Sequence, residues 1–243
     1  DTVVRVLLFW SLFLPIARRR SLDSRKQEIE VDVHYSVATL AFTLQVAMIY
    51  WFNAVAKGHP MWREDYSAVW HVLNLDSFAT SFGVWLRQFP EFLQMATRGT
   101  VWLEELGPLF LFIPYFRNYL RIIVVMLFVS FHLGLALTMN LGIFPYACMI
   151  AWLPFLPSRF WDKWRRREAA QPVIEVCTNK WKASFCGLIC LYIFLWNART
   201  LTREKSSWFL TSECNIIADI TRVGQKWHLF APRSRTNDFW LIV

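Results

Sequence analysis

The stretch from Tyr119 to Met139 reads YLRIIVVMLFVSFHLGLALTM and decides the fold class of this chain. Arg121 near its start and His132 near its centre are the side chains within it that carry or gain charge near neutral pH. A hydrocarbon core about 30 Å thick needs roughly 20 apolar residues per crossing helix. The stretch therefore predicts a membrane-spanning helix, and a titratable group inside such a helix points to a functional position.

The composition extends this prediction to the whole chain. Of the 243 residues, 56% are hydrophobic and 18% are charged, and 14 are Trp and 21 are Phe. Ordinary soluble domains carry about 25% charged residues, so one globular core explains these values less well than several membrane helices do. The net charge of +8 comes from Lys and Arg clustered in short loops between apolar runs. That clustering follows the positive-inside rule and argues against nucleic-acid binding.

The five cysteines indicate neither a disulfide framework nor a metal site. They form no CxxC pair, and Cys186 and Cys190 lie four residues apart within an apolar run. Cysteines placed in this way most often pack inside a helix. We therefore expect no metal cofactor.

Apolar runs of span length recur along the sequence. Besides Tyr119 to Met139, they predict four further crossings: Tyr35 to Ala56, Gly99 to Phe116, Ile143 to Leu156 and Ala183 to Ala198. A shorter run, Val3 to Ala17, predicts the tail of a span or a re-entrant piece. The expected fold is all-α: a polytopic transmembrane helical bundle with interfacial amphipathic helices and a short C-terminal mixed tail.

Two segments between these runs favour the membrane surface. Met61 to Arg98 alternates aromatic and charged residues, which predicts two or three amphipathic helices along the bilayer, or alternatively a packed cap over the bundle. Ser158 to Arg167 reads SRFWDKWRRR and predicts a basic helix that contacts anionic lipid headgroups.

The organisation predicted from these segments has two parts. Asp1 to Arg199 forms the transmembrane domain, which we expect to be truncated at its N-terminus because the chain opens inside an apolar stretch. Thr200 to Val243 forms an extramembrane tail with a strand-like end at Phe239 to Val243.

The distribution of basic residues predicts the orientation. Lys and Arg are dense near the span ends on one side, which includes Arg18 to Arg20 and Lys182 and should be cytoplasmic. Lys57, the amphipathic segment and the tail then face outward.

This orientation places four groups with acid–base chemistry in the outer half of the membrane: Lys57, Glu104, Glu105 and His132. A lysine in an apolar site has a lowered pKa, so its neutral amine can take a proton from a weak acid. A neighbouring carboxylate opposes that shift, so Glu104 or Glu105 must be distant or protonated. Asn53, one turn before Lys57, could orient the amine or form a plain interhelical hydrogen bond.

Each of these groups also has a structural interpretation. Lys57 can be a snorkelling anchor at a helix end. His132 can be a packed histidine bonded to a backbone carbonyl. Adjacent helical residues point about 100° apart, so at most one of Glu104 and Glu105 shares a face with a given partner, and the other can pair with an arginine.

Several motifs together resemble a known family. YWFNAVAK at Tyr50 to Lys57, followed by Trp62, is similar to the lysine segment of vitamin K-dependent gamma-carboxylases and of the bacterial HTTM (horizontally transferred transmembrane) proteins. Further resemblances to the HTTM pattern lie along most of the chain: FWSLFLP at 9–15 with SLD at 21–23, ELGP at 105–108, FH at 131–132 with GIFP at 142–145, and QKWHLFAP at 225–232.

The resemblance implies an integral protein of the bacterial inner membrane, with the lipid bilayer as its surroundings. In the carboxylase branch, Lys57 would be the base that deprotonates vitamin K hydroquinone or menaquinol, and His132 and Glu105 would be supporting polar groups. The oxygenated quinol would then remove a γ proton from a glutamate of a protein substrate, and the carbanion would capture carbon dioxide. The alternative is a non-catalytic multi-pass membrane protein with a transport, immunity or scaffold role.

Overall fold

The computed structural model describes residues 2–15, 33–114, 117–157, 160–161, 174–176, 179–201 and 230–231. Within these ranges the helices are α1 (Thr2–Ser11), α2 (Val37–Ala56), α3 (Pro60–Arg63), α4 (Ala68–Leu73), α5 (Ser81–Leu86), α6 (Pro90–Leu106), α7 (Arg117–Thr138), α8 (Phe144–Trp152) and α9 (Lys180–Leu201). Two strands, β1 (Val33–Tyr35) and β2 (Ile174–Val176), pair in parallel. The architecture is all-α, as the sequence predicts.

The chain divides into two compact units. The first unit comprises Asp1–Met48 and Leu156–Gln225, and the second comprises Ile49–Phe155 and Lys226–Val243. The division falls inside α2, so this helix begins in the first unit and ends in the second.

Within the first unit, α1 buries one face. Val3, Val6 and Trp10 are buried and recur at helical spacing, so they form a single apolar stripe. Just beyond α1, the Phe13 ring packs against Phe185 of α9 with 5.6 Å between ring centroids. The β1–β2 ladder pairs Val33 with Ile174, which the sequence did not predict, and its three-residue strands leave the fold class unchanged.

The second unit contains α3 to α8 and the end of α2. Thr80 caps α5 by accepting a hydrogen bond from the Gly83 amide, and Pro90 occupies the first turn of α6, where its missing N–H costs nothing. α7 packs against α8 and α5. α6 packs against α4 and α3.

Among the described residues, three helices are long and apolar enough to cross a membrane: Val37–Ala56, Asn118–Thr138 and Lys180–Leu201. They confirm the spans predicted at Tyr35 to Ala56, Tyr119 to Met139 and Ala183 to Ala198, with ends shifted by a few residues. Large aliphatic side chains and a methionine on α7 are exposed, as expected of a surface that faces lipid: Ile123, Met126, Leu127, Leu133 and Leu137.

The structure differs from the sequence at the other two predicted spans. Gly99 to Phe116 is not one helix: α6 begins at Pro90, carries four charged residues and passes into a 3-10 turn at Gly107–Leu111. Ile143 to Leu156 becomes the nine-residue α8 and a 3-10 turn at Leu153–Phe155. Both 3-10 turns contain a proline, which lacks the N–H that an α-helix requires.

The predicted amphipathic region, Met61 to Arg98, forms α3, α4, α5 and the first half of α6. Its exposed aromatic side chains include Phe82, Trp85, Phe89 and Phe92. Most of Ser158 to Arg167 and of the tail from Thr200, including the strand predicted at Phe239 to Val243, lies outside the described residues.

Candidate functional site

One face of α2 supplies the centre of the site. Tyr50, Asn53 and Lys57 follow one another at intervals of three and four residues, which brings their side chains to the same side of a helix. Lys57 is the first residue beyond α2, and its amide still donates to the carbonyl oxygens of Asn53 and Ala54. The amine therefore has a fixed origin at the end of the helix.

Lys57 forms a buried ion pair with Glu104 of α6. The Lys57 Nζ atom lies 2.5 Å from Glu104 Oε2, and each side chain is 3% exposed. The other carboxylate oxygen, Oε1, accepts a hydrogen bond of 2.9 Å from the Asn53 amide nitrogen. Nζ also lies 4.6 Å from the centroid of the Trp62 ring, within the range of a cation–π contact.

Burial shifts both members of this pair toward their neutral forms. Both residues lie outside the three candidate spans. Loss of hydration lowers the pKa of Lys57 from its ordinary value of 10.5, although the Glu104 carboxylate opposes that change. Loss of hydration likewise raises the pKa of Glu104 from 4.5, against the opposing effect of Lys57. Burial thus disfavours the charged form of both side chains, and the charge of each partner opposes that effect on the other.

Arg63 fixes the end of α2 from outside the pair. Its guanidinium donates to the carbonyl oxygens of Ala54 (2.9 Å) and Lys57 (3.1 Å) and forms an ion pair with Glu105 at 2.5 Å. Trp51 adds a second link between α2 and α6, because its indole N–H donates to the Glu105 carbonyl oxygen over 3.1 Å. A cation at the C-terminus of a helix also interacts favourably with the helix dipole.

A second polar cluster is centred on Tyr50. The Tyr50 hydroxyl lies 2.8 Å from His132 Nε2 and accepts a hydrogen bond of 2.7 Å from the indole N–H of Trp152. Phe128 stacks on Trp152, with 4.0 Å between ring centroids and an interplanar angle of 11°. Tyr50, His132, Trp152 and Phe128 are all buried, so this is a polar chain inside an aromatic core.

The two clusters share one face of α2. Tyr50 belongs to one cluster, and Asn53 and Lys57, at helical spacing from it, belong to the other. The amine, the carboxylate, the imidazole and the phenol thus belong to one polar region of the second unit. Within the described ranges, no three His, Cys, Asp or Glu residues come together as metal ligands.

The predicted site residues are thus placed as follows. Lys57 and His132 are buried in this region, whereas Glu105 pairs with Arg63 at its edge and Glu104 takes the position beside Lys57. The catalytic roles predicted for Lys57, His132 and Glu105 stay predictions. The sequence pattern does not by itself single out Tyr50, although this residue lies one turn before Asn53.

The part of the chain that the structure describes is all-α and holds three helices of membrane-spanning length and composition, which define an integral membrane protein with a buried acid–base site. The family model described as HTTM domain matches residues 3–161. The chain belongs to the HTTM domain family. Neither the curated proteins nor the solved structures gave a match to it.

Proposed function

We propose that this protein is a gamma-carboxylase-like enzyme that acts on a lipid-soluble quinol, with Lys57 as the base that removes the hydroxyl proton. The observation that carries the proposal is the buried pair of Lys57 and Glu104, each side chain 3% exposed. A buried amine with a lowered pKa is the form of lysine that works as a base near neutral pH.

The proton balance of the step suits this pair. Before reaction, Lys57 is the neutral amine and Glu104 is a carboxylate that accepts from Asn53. Transfer from the quinol breaks an O–H bond, leaves Lys57 as ammonium beside the Glu104 carboxylate, and produces a quinolate. The positive charge that forms on Lys57 then lies beside both negative charges, so it is stabilised in the buried site.

The surroundings of the pair favour an aromatic, lipid-soluble substrate. The Trp62 ring lies against the amine, and Trp51 stacks with Phe112 at 6.2 Å between ring centroids and an interplanar angle of 26°. Flat rings contact a quinol favourably, and exclusion of water protects a strongly basic intermediate from quenching. Reduced vitamin K or menaquinol is the proposed cofactor, and a protein glutamate is the proposed carboxyl acceptor.

A non-catalytic role is the second candidate, and one observation favours it. Lys57 already has a carboxylate partner in Glu104 and an aromatic face in Trp62, as a purely structural lysine would. In that case the pair would set the packing of α2 on α6, and the protein would serve transport, immunity or scaffolding.

The test is an activity assay on the full-length protein in lipid nanodiscs. The protein is given reduced menaquinone or vitamin K hydroquinone, dissolved oxygen, labelled bicarbonate and a glutamyl peptide. The proposal expects quinone epoxide and labelled peptide. Absence of both products would contradict the carboxylase function and favour the non-catalytic role.

Variants then assign the base. Lys57→Ala should abolish product formation, and Lys57→Arg should not restore it, because a guanidinium does not act as a neutral base. Lys180→Ala is the control, since Lys180 is an exposed lysine at the start of α9. Full activity in Lys57→Ala would remove Lys57 from the mechanism.

A further inference from the structure

Two buried polar atoms of the site have no hydrogen-bond partner among the described residues: Asn53 Oδ1 and His132 Nδ1. A buried polar atom without a partner loses its hydration and gains nothing in return, so such atoms often mark a place where a ligand binds. In each side chain the other polar atom already forms a hydrogen bond. That bond determines whether the remaining atom is a donor or an acceptor.

Asn53 offers an acceptor. Its amide nitrogen donates to Glu104 Oε1 over 2.9 Å. An ionised carboxylate accepts hydrogen bonds and has no hydrogen to donate. The amide is therefore oriented with its nitrogen toward Glu104 and its oxygen, Oδ1, away from it. Oδ1 accepts hydrogen bonds and cannot donate one.

His132 offers a donor. The Trp152 indole can only donate, so the Tyr50 oxygen accepts from it and the Tyr50 hydrogen is free to point elsewhere. The Cys148 thiol also contacts this hydroxyl, but sulfur is a weak acceptor compared with an imidazole nitrogen. The Tyr50 hydrogen thus goes to His132 Nε2, and a neutral imidazole then carries its proton on Nδ1.

We infer that Asn53 and His132 make this site selective for the reduced, hydroxyl-bearing form of its ligand over the oxidised form. Asn53 Oδ1 accepts the hydrogen bond of one ligand hydroxyl, and His132 Nδ1 donates to an oxygen of the ligand. A hydroquinone meets both requirements, whereas a quinone has only accepting oxygens and leaves Asn53 Oδ1 buried and unpaired.

This inference rests on the proposed function, because it names how the same site chooses its quinol. Asn53 lies one turn before Lys57, so a hydroxyl held by Asn53 stays on the helix face that carries the amine. Asn53 is a positioning residue in this scheme: the hydroxyl hydrogen bonded to Asn53 Oδ1 leaves that oxygen when the hydroxyl turns toward Lys57, which removes it as a proton. The cost of an unpaired buried acceptor corresponds to a preference of about 10-fold or more for the hydroxyl-bearing ligand.

The test measures binding without turnover. Quenching of tryptophan fluorescence is recorded for the full-length protein in nanodiscs, under anaerobic conditions, with menadiol and with menadiol dimethyl ether. The ether keeps the ring and both oxygens, lacks the hydroxyl hydrogens and does not change redox state. We expect menadiol to bind at least about 10-fold more tightly than the ether. Equal binding, or no binding of menadiol, overturns the inference.

Asn53→Leu identifies the residue responsible. The ratio of the two dissociation constants should fall toward one, while the ether itself binds as it does to the native protein. A merely structural role for Asn53 would weaken both ligands equally and leave the ratio unchanged, which overturns the inference. Asn74→Leu is the matched control, because Asn74 is an exposed asparagine at the end of α4. If Asn53→Leu does not fold, the ratio for the native protein still decides.

The histidine is tested separately. His132→Asn can place an amide N–H near the position of Nδ1 and should keep the affinity for menadiol. His132→Gln projects its amide toward the position of Nε2 and should weaken the binding of menadiol and of the ether alike. Equal affinities in the two variants would remove His132 from the inference.

The outcomes separate this inference from the proposed function. Selective binding of menadiol without epoxide or labelled peptide supports ligand selection and contradicts the carboxylase. Product formation with an unchanged ratio in Asn53→Leu supports the enzyme and contradicts the role of Asn53.

Discussion

Glu104 and Glu105 are neighbours in the chain but bind different cations. Glu104 is buried against Lys57, whereas Glu105 pairs with Arg63 where the two side chains are 32% and 38% exposed. Adjacent positions on a helix point about 100° apart, so α6 directs one carboxylate inward and the other outward. Two adjacent residues with the same side chain thus have separate roles. Glu104 and Glu105 therefore provide a matched pair for mutagenesis.

The first prediction uses this pair to test the pH dependence of activity. A step that needs neutral Lys57 speeds up as pH rises through the pKa of that amine. Burial lowers this pKa and the Glu104 carboxylate raises it, so Glu104→Gln should lower it further. The rising limb of the pH–rate profile should then move to lower pH, and the maximal rate should fall because a less basic amine accepts the quinol proton less readily.

Glu105→Gln is the control for that experiment, because Glu105 contacts Arg63 and lies outside the buried pair. Its rising limb should stay in place. A limb that moves equally in both variants would show that general surface charge, and not the contact with Lys57, sets the pH dependence.

The second prediction concerns stability. Lys57→Met leaves Glu104 buried without its cation, and loss of one partner of a buried pair costs about 3–5 kcal/mol. Lys57→Met with Glu104→Leu should recover most of that loss, since two apolar side chains of similar volume replace the pair. Thermal unfolding in nanodiscs measures the coupling.

The partly exposed pair of Arg63 and Glu105 supplies the comparison for this cycle. Exposed ion pairs are screened by water and contribute about 0–1 kcal/mol, so the corresponding double-mutant cycle should show weak coupling. Coupling of similar size in the two cycles would contradict the buried character of the Lys57 pair.

The third prediction tests the packing of α5 on α7. A Cβ atom added at Gly83 would collide with the backbone carbonyl oxygen of Thr138, which cannot move aside as a flexible side chain can. Gly83→Ala should lower the midpoint of thermal unfolding. Gly99→Ala should raise it slightly, by about 0.5–1 kcal/mol of stability, since Gly99 lies inside α6 with no atom near its Cβ position. A destabilised Gly99→Ala would show that this surface of α6 is covered.

The fourth prediction concerns orientation. In a background without native cysteines, Gly58→Cys should react with a membrane-impermeant maleimide on intact cells. Lys182→Cys should react only after lysis, because the arginine-rich side is expected in the cytoplasm. Both positions are exposed in the structure. The reverse labelling pattern would place Lys57 on the cytoplasmic side.

The sequence alone was sufficient to predict the long membrane-spanning helices. α2, α7 and α9 each contain an apolar run near 20 residues, and such a run has few alternatives to crossing a bilayer. The sequence was insufficient for α6 and α8. Their apolar runs contain prolines, and α6 also carries four charged residues, so where each helix begins and ends depends on packing that composition does not encode.

The site was predictable in its residue types but not in its pairing. Helical spacing placed Asn53 and Lys57 on one face, and the choice between Glu104 and Glu105 needed the rotation of α6 against α2. That rotation depends on long-range contacts such as the hydrogen bond from Trp51 to the Glu105 carbonyl oxygen. The place of Tyr50 in the site depends on the hydrogen bond from Trp152, which lies 102 residues further along the chain.

The hydrogen bonds from Arg63 to the carbonyl oxygens of Ala54 and Lys57 have a kinetic consequence. Helix ends fray because their last carbonyl groups lack hydrogen-bond donors. Here the Arg63 guanidinium donates to two of these carbonyl oxygens. The backbone that carries the amine is ordered during folding and not during encounter with a ligand. Loss of these two hydrogen bonds should therefore slow the binding of a ligand in a reactive position, while Lys57 and Glu104 themselves stay unchanged.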